Sequence, residues 1–393
     1  MRCFYVSRLM VLFVAMLCAL VVLASVAAAQ LAVSANDNKV VLVNGTGTVV
    51  QNPPPDTVAI IDLKTFPPKI LAEIDVPTSV VGPPLSVAIT PNESLALVTA
   101  AMKIDPNDAT KQAPNNQMSV IDLQASPPKV IAQVETGKGP AGLSITRTGD
   151  LALVANRAEG TVSVFSIKGK EVSSVGTVKL GDDKTGVSHV AISPDGKTAL
   201  VTRDGDNLIS VLSIDGTKVE YTKRDMSAGQ RPYGAAISAT GTMAVVANIG
   251  RGSGDADTIS VIDMTAKPVR VVQTLTVGQT PEGIMLSPNG KLCAVVIMNG
   301  SNKAKDSPFY ADHGKLLLYG VEGVQLTKLS EAPIGHWSQG AAFSADSQYI
   351  LVQNMVEKNL MIFKVINQKL EDTGQRLQMK GGPAAIRVAE KPL

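Results

Sequence analysis

The chain has 393 residues, enough for several ordinary domains or one large repeat array. Apolar residues make up 45% but aromatic ones only 4%, so a core must be built from Val, Ile, Leu and Ala. The formal net charge is +2, and both surplus cations, Arg2 and Arg8, lie at the very N-terminus. That balance excludes a basic nucleic-acid footprint, and the apolar content excludes low-complexity disorder.

Residues 1–29 read as a secretory signal peptide. Met1 to Arg8 form a short positive region and Leu9 to Val26 an apolar run, and Ala27-Ala28-Ala29 gives the small-residue cleavage pattern. No later stretch is long and apolar enough to span a bilayer, so the processed protein is expected to be exported, periplasmic or extracellular, and off the membrane. Cys3 and Cys18 leave with the leader, and Cys293 alone remains. One thiol excludes internal disulfides, CxxC zinc sites and haem attachment. Its strand-like setting, Lys-Leu-Cys-Ala-Val-Val-Ile, marks it as a buried, inert thiol.

From residue 30 onward one unit recurs along the chain. Its clearest copy is His189-Val-Ala-Ile-Ser193-Pro-Asp-Gly-Lys197-Thr-Ala-Leu-Val-Thr202, followed by Asn207-Leu-Ile-Ser-Val-Leu-Ser-Ile214. The unit is a short strand, a tight polar turn, an apolar strand, a third strand and a closing alternating stretch. The third strand recurs as Val58–Leu63, Met118–Leu123, Val162–Ile167 and Ile259–Met264. Turns are read at Ser34, Thr90, Thr146, Ser193, Ser238, Ser287 and Ser344. Pro-Asp-Gly and Pro-Asn-Gly supply turn chemistry, and Val and Ile at period two suit half-buried strands. No stretch carries a sustained helical stripe. The expected fold is therefore all-β, a seven-bladed β-propeller of four-stranded antiparallel blades occupying 30–393 as one domain. The Gly-His and Trp-Asp signatures of WD40 repeats are absent. At the C-terminus, Gly382-Pro-Ala-Ala-Ile-Arg-Val388 copies the inner-strand phrase Gly139-Pro-Ala-Gly-Leu-Ser-Ile145 with no blade after it. It is expected to complete the first blade, whose other strands would begin near Lys39, so that strands from both termini close the ring.

Ser193-Pro-Asp-Gly-Lys197, Val245-Val-Ala-Asn248 and Thr258-Ile-Ser-Val-Ile-Asp263 resemble the repeat of the YVTN-type, lactonase-like seven-bladed propellers, and the resemblance covers essentially the whole processed chain. The resemblance implies the propeller fold. It also implies a range of roles: exported binding or scaffold proteins, lactone hydrolases, a muconate-cyclising enzyme and propeller subunits of amine dehydrogenases.

On such a disc, the turns of the Ser193 type lie on one face and the loops leading into each inner strand lie on the other, here the top. The long loops Asn44 to Asp56, Ala100 to Asn116, Ile249 to Asp257 and Met298 to Gly314 all fall on the top, which reads as a binding face. The loops leading into the inner strands are expected to set Lys138, His189, Arg231, Tyr233, Glu282, His336, Trp337, Gln339 and Arg387 around the channel mouth. That set suits a small polar or anionic ligand, with an exported protein partner as the other occupant. Recognition through the top loops, as a binding or scaffold module, is the leading expectation. The alternative is a lactonase-like hydrolase acting on a cyclic ester of a sugar or organic acid. In it His189 acts as base or acid, Glu282 is its partner and Arg231 clamps the anion. The resemblance implies a Pro-Arg-His phrase, which here is Val187-Ser188-His189, so the cation is missing from its usual place. Whether the chain is an enzyme stays open at this point. No metal site is expected, because His189, His313 and His336 come from separate blades, and no cofactor is implied.

Overall fold

A computed structural model describes residues 30–391, and the leader read at 1–29 lies outside them. Seven four-stranded antiparallel sheets form the blades, and no helix occurs among the described residues. Blade 1 combines the inner strand Gly382–Val388 with Leu31–Asp37, Thr57–Asp62 and Lys69–Asp75. The other inner strands, in order, are Val87–Ile89, Pro140–Ile145, Val187–Ile192, Pro232–Ile237, Pro281–Leu286 and Ser338–Phe343. Both ends of the chain thus meet in one blade.

That closure corrects two details of the sequence reading. Ser34 is not in a turn, because it pairs with Ile386 and Ala59 in mid-strand. The remaining strands of blade 1 begin at Leu31, not near Lys39. The physical reason is that the two termini meet where every other blade has a bottom turn. In those other blades the turn is built as its sequence demands. Ser193 Oγ bonds Asp195 at 2.5 Å and accepts the Thr198 N–H at 3.0 Å, and Ser287 with Asn289 repeats the device at 2.7 Å.

Seven apolar clusters hold the ring together, one between each neighbouring pair of blades. Leu153, Val164, Val190 and Val201 fill the seam between blades 3 and 4. Ala32, Ile61, Leu351 and Ile386 fill the one between blades 7 and 1. Val, Ile, Leu and Ala suffice because each seam is two twisted strand faces meeting, which β-branched and small side chains pack well. Cys293 is fully buried in the seam between blades 5 and 6, where burial pushes its thiol up, away from reactive thiolate.

Two of the loops expected on the top face are in fact hairpins, Val40–Val43 with Thr46–Val49 and Met102–Asp105 with Asp108–Pro114. The first turns at Asn44-Gly45, both with positive φ, as a two-residue hairpin turn requires. Its tip reaches the blade-6 loop, where a Cβ on Gly45 would lie 2.3 Å from the Ala304 nitrogen. From there Lys303 Nζ donates to the Gly252 carbonyl of blade 5, and Trp337 packs against Gly47. The blade-1 hairpin therefore roofs the side of the top face bordered by blades 5, 6 and 7. No helix of the described residues is long and apolar enough to cross a membrane.

Candidate functional site

Register fixes which side chain each inner strand contributes near the top of the channel. The second position carries Ala384, Ala141, Ser188, Tyr233, Glu282 and Gln339 in blades 1 and 3 to 7. In blade 2 the equivalent residue is Leu85, ahead of the strand Val87–Ile89, and its side chain runs down to the lower cavity. All seven are buried. The residue leading into the strand takes positive φ in five blades, at Gly139, Gly186, Arg231, Thr280 and Trp337. For the last three, left-handed backbone costs about 1 kcal/mol or more, and a neighbouring blade's side chain holds each N–H in place. Asn207 accepts from Arg231 at 2.9 Å, Asp257 from Thr280 at 2.9 Å and Ser301 from Trp337 at 3.2 Å. The strain aims Arg231 at the mouth.

There it joins a compact charged cluster. Arg231 Nη2 and Arg157 Nη2 both lie 3.0 Å from Asp204 Oδ2, and Asp204 is only 4% exposed. Arg157 also donates to Ser188 Oγ through Nη1 and stands 5.5 Å from the centre of the Tyr233 ring. Beneath them Glu282 is buried. Desolvation pushes its carboxyl up to about 8, with Asp204 adding to the rise and Arg231 and Arg157 opposing it. Burial likewise raises the Tyr233 hydroxyl and keeps it a neutral donor. Above the cluster opens a cavity of about 330 Å³ lined by Arg157, Asp204, Arg231, Lys184, Gly186 and other top-loop residues. Two guanidinium groups facing an open volume, with an unusually basic carboxyl below, can bind an anion and move a proton.

The structure brings together Arg231, Tyr233 and Glu282 of the residues read from sequence. Arg157 and Asp204, at the centre of the cluster, were missed. Both directly follow the last residue of a blade's second strand, where other blades carry Ala100, Ile249, Met298 or Met355. Comparing that one position across repeats would have exposed them.

The other expected site residues lie elsewhere. Lys138 is on the rim, exposed, and its N–H donates to Glu159 at 2.7 Å. His336 is held by Glu357 at 2.6 Å. Trp337 lines a separate cavity of about 170 Å³ under the blade-1 hairpin, and Gln339 donates to the Trp337 carbonyl at 3.1 Å. Arg387 is at the opposite, lower end of the channel, because it lies near the end of its strand rather than the start. His189, His313 and His336 are not brought together.

His189 needs a fuller correction. It is 1% exposed and lines neither large cavity, neither ring nitrogen makes a well-formed hydrogen bond, and only the Leu143 backbone offers it a weak polar contact. Its ring occupies the third strand position, which is Gly in four other blades, and it fits because the neighbouring blade offers Gly142. A Cβ there would lie 2.5 Å from His189 Cδ2. Burial first, and the charge on Arg387 second, hold the imidazole well below its usual value of 6.5. Such a ring is poorly placed to meet substrate. It is instead an acid-sensitive element of the seam. The unfolded chain takes up this proton near pH 6.5 and the folded one only well below, so stability is lost as pH falls beneath about 6.5. His189→Ala is expected to shrink the drop in Tm between pH 7.5 and 5, and an unchanged drop would contradict this.

A family model described as a seven-bladed lactonase β-propeller matches residues 115–281. Similar solved structures include a putative 6-phosphogluconolactonase from Bacteroides fragilis, 15% identical with a TM-score of 0.70, covering 93% of this chain and 99% of that one. A periplasmic gluconolactonase from Pseudomonas aeruginosa is 17% identical with a TM-score of 0.64, covering 92% and 99%. Kuenenia stuttgartiensis hydrazine synthase is 20% identical with a TM-score of 0.60, covering 79% and 90%. At these identities the shared property is the fold. No curated protein matches the chain. With the seven blades, the family match bears out the resemblance to lactonase-like propellers read from the repeat.

Proposed function

We propose that the chain is an exported lactonase-like hydrolase that opens a small cyclic ester of a sugar or organic acid at the Arg157–Asp204–Arg231 cluster. One observation carries the reading. Ser188 stands where the resemblance leads one to expect an arginine, and the guanidinium of Arg157 reaches in from the preceding blade to bond it. The missing cation is thus supplied from elsewhere in the fold, beside Arg231. The gluconolactonase neighbours and the lactonase family match support the same direction.

In this reading ionised Glu282 takes a proton from water as the water oxygen bonds the lactone carbonyl carbon. The guanidinium groups stabilise the oxyanion that develops. The ring C–O bond then breaks, and Glu282 returns the proton to the departing oxygen. The product is a hydroxy acid, which releases its carboxyl proton to water and presents the carboxylate to the same cations. Glu282→Gln is expected to lower turnover of aldonolactones by about 10²–10⁴ while melting normally. Undiminished turnover would remove Glu282 from the reaction.

A second reading is binding without turnover, as a top-face recognition module. The observation favouring it is that Glu282 lies below the cavity and not in its wall. In that case aldonates bind and lactones are not consumed. Export rests on the sequence of residues 1–29 and on the periplasmic neighbour.

A further inference from the structure

The lower end of the channel is chemically unlike the upper. It holds a cavity of about 310 Å³ whose walls include Leu85, Ala235, Ile284, Ala341 and Ile386. A volume of that size and character is typical of small-ligand sites. Two arginines stand at its edge, each where the repeat elsewhere carries a small or apolar residue. Arg387 holds the fifth inner-strand position, which is Ala88, Ser144, Ala191, Ala236, Met285 and Ala342 in the other blades. Arg147 holds the second turn position, which elsewhere is Pro91, Pro194, Ala239, Pro288 or Ala345.

Arg147 leans across the opening from blade 3 to blade 5, where Nη1 donates to the Ala239 carbonyl at 2.9 Å. Its Nε is buried with no partner, a donor lacking the acceptor that buried polar groups normally find. Arg387 is 16% exposed and bonds the carboxylate of Glu390, which is itself 41% exposed. Glu390 is therefore a carboxylate already seated at this position and readily displaced from it.

From the apolar walls, the two guanidinium groups that line the cavity and the orphaned donor, we infer that the lower end of the channel is a second ligand site, for a monocarboxylate with an apolar body. The body fills the cavity between the inner strands. The head group displaces Glu390 from Arg387 and accepts from Arg147. This site is independent of the hydrolytic reading, since it shares no residue with the upper cluster.

Titration calorimetry of the full processed chain with octanoate tests it, with 1-octanol and acetate as controls. Saturable binding of octanoate is expected, with each control weaker by roughly tenfold or more, the usual worth of a charge-assisted contact or a buried apolar body. Arg387→Gln and Arg147→Gln should each weaken octanoate by roughly tenfold. Ala236→Phe, which fills the cavity, should remove binding. Arg231→Ala should leave octanoate affinity unchanged, and Arg147→Gln should leave lactone turnover unchanged. If Ala236→Phe does not fold, the two arginine variants decide, as both change rim side chains. The inference is overturned by absence of saturable octanoate binding, by equal binding of 1-octanol, or by full affinity in both arginine variants. It is also overturned by loss of octanoate binding in Arg231→Ala, which would put the carboxylate at the upper cluster.

Discussion

Deleting residues 382–393 is expected to cost on the order of 5 kcal/mol and to replace one cooperative unfolding transition with a broad one. The deletion strips the inner strand from blade 1 and leaves the edge of Leu31–Asp37 unpaired along the positions that Pro383, Ala385, Ile386 and Arg387 now occupy. It also takes Ala385 out of the seam between blades 1 and 2, and Ile386 out of the seam between blades 7 and 1. Other inner strands also reach two seams, as Val190 and Ala191 do in blade 4, but only this one is joined to its blade without a turn at the lower face. Because the strand pairing in blade 1 is what joins the two ends of the chain, an opened blade 1 would let neighbouring blades splay, and the exposed edge would invite pairing between molecules. Calorimetry and light scattering would follow both effects. A truncated chain that melts like the full one would mean that the ring is held by its seams alone.

Asp204→Ala is the second change expected to have a large effect. The carboxylate is buried and each of two guanidinium groups lies 3.0 Å from it. Removing it leaves two cations facing each other, and the loss is expected at roughly 3 kcal/mol, a fall of roughly 4 °C in Tm for a chain of this size. Arg231 is 39% exposed at its side chain, so water screens part of the repulsion. The same vacancy is an anion site in waiting. Inorganic phosphate should therefore raise the Tm of the variant more than that of the wild type. A variant that melts normally and ignores phosphate would show that the cluster carries neither stability nor anion affinity.

Much of the fold was legible because a propeller blade repeats its turn chemistry. Ser193-Pro-Asp-Gly and its copies specify a tight turn, and Val-Ser-Val-Ile-Asp strands pack on both faces. The C-terminal phrase around Ile386 disclosed the closure for the same reason. What failed was local. Ser34 resembled a turn serine by composition, but the chain termini interrupt the pattern in blade 1. Asn44-Gly45 was read as the start of a long loop, although Asn-Gly between valine-rich runs is a strong hairpin signal.

The site was half legible. Arg231, Tyr233 and Glu282 were found because the topology places the start of each inner strand at the mouth. Arg157 and Asp204 follow second strands, and only the apolar residues at that position in other repeats set them apart from ordinary solvated charges. Their partnership is a product of blade-to-blade packing, which a linear reading does not contain. His189 was misjudged for the opposite reason. A lone histidine near the mouth reads as chemistry, whereas the Gly142 opposite it makes room for a buried ring. Trp337, also read at the channel mouth, has a comparable explanation, since it packs under the blade-1 hairpin against Gly47.

The most direct measurement is the initial rate of aldonolactone hydrolysis from pH 6 to 9, for the wild type and Glu282→Gln side by side, corrected for spontaneous opening. If Glu282 is the base, the wild-type rate rises with pH as the carboxyl ionises, with a midpoint at the raised value of about 8, and the variant lacks that rise. A wild-type rate no greater than the spontaneous one, or a pH profile that the variant shares, would contradict the hydrolytic account.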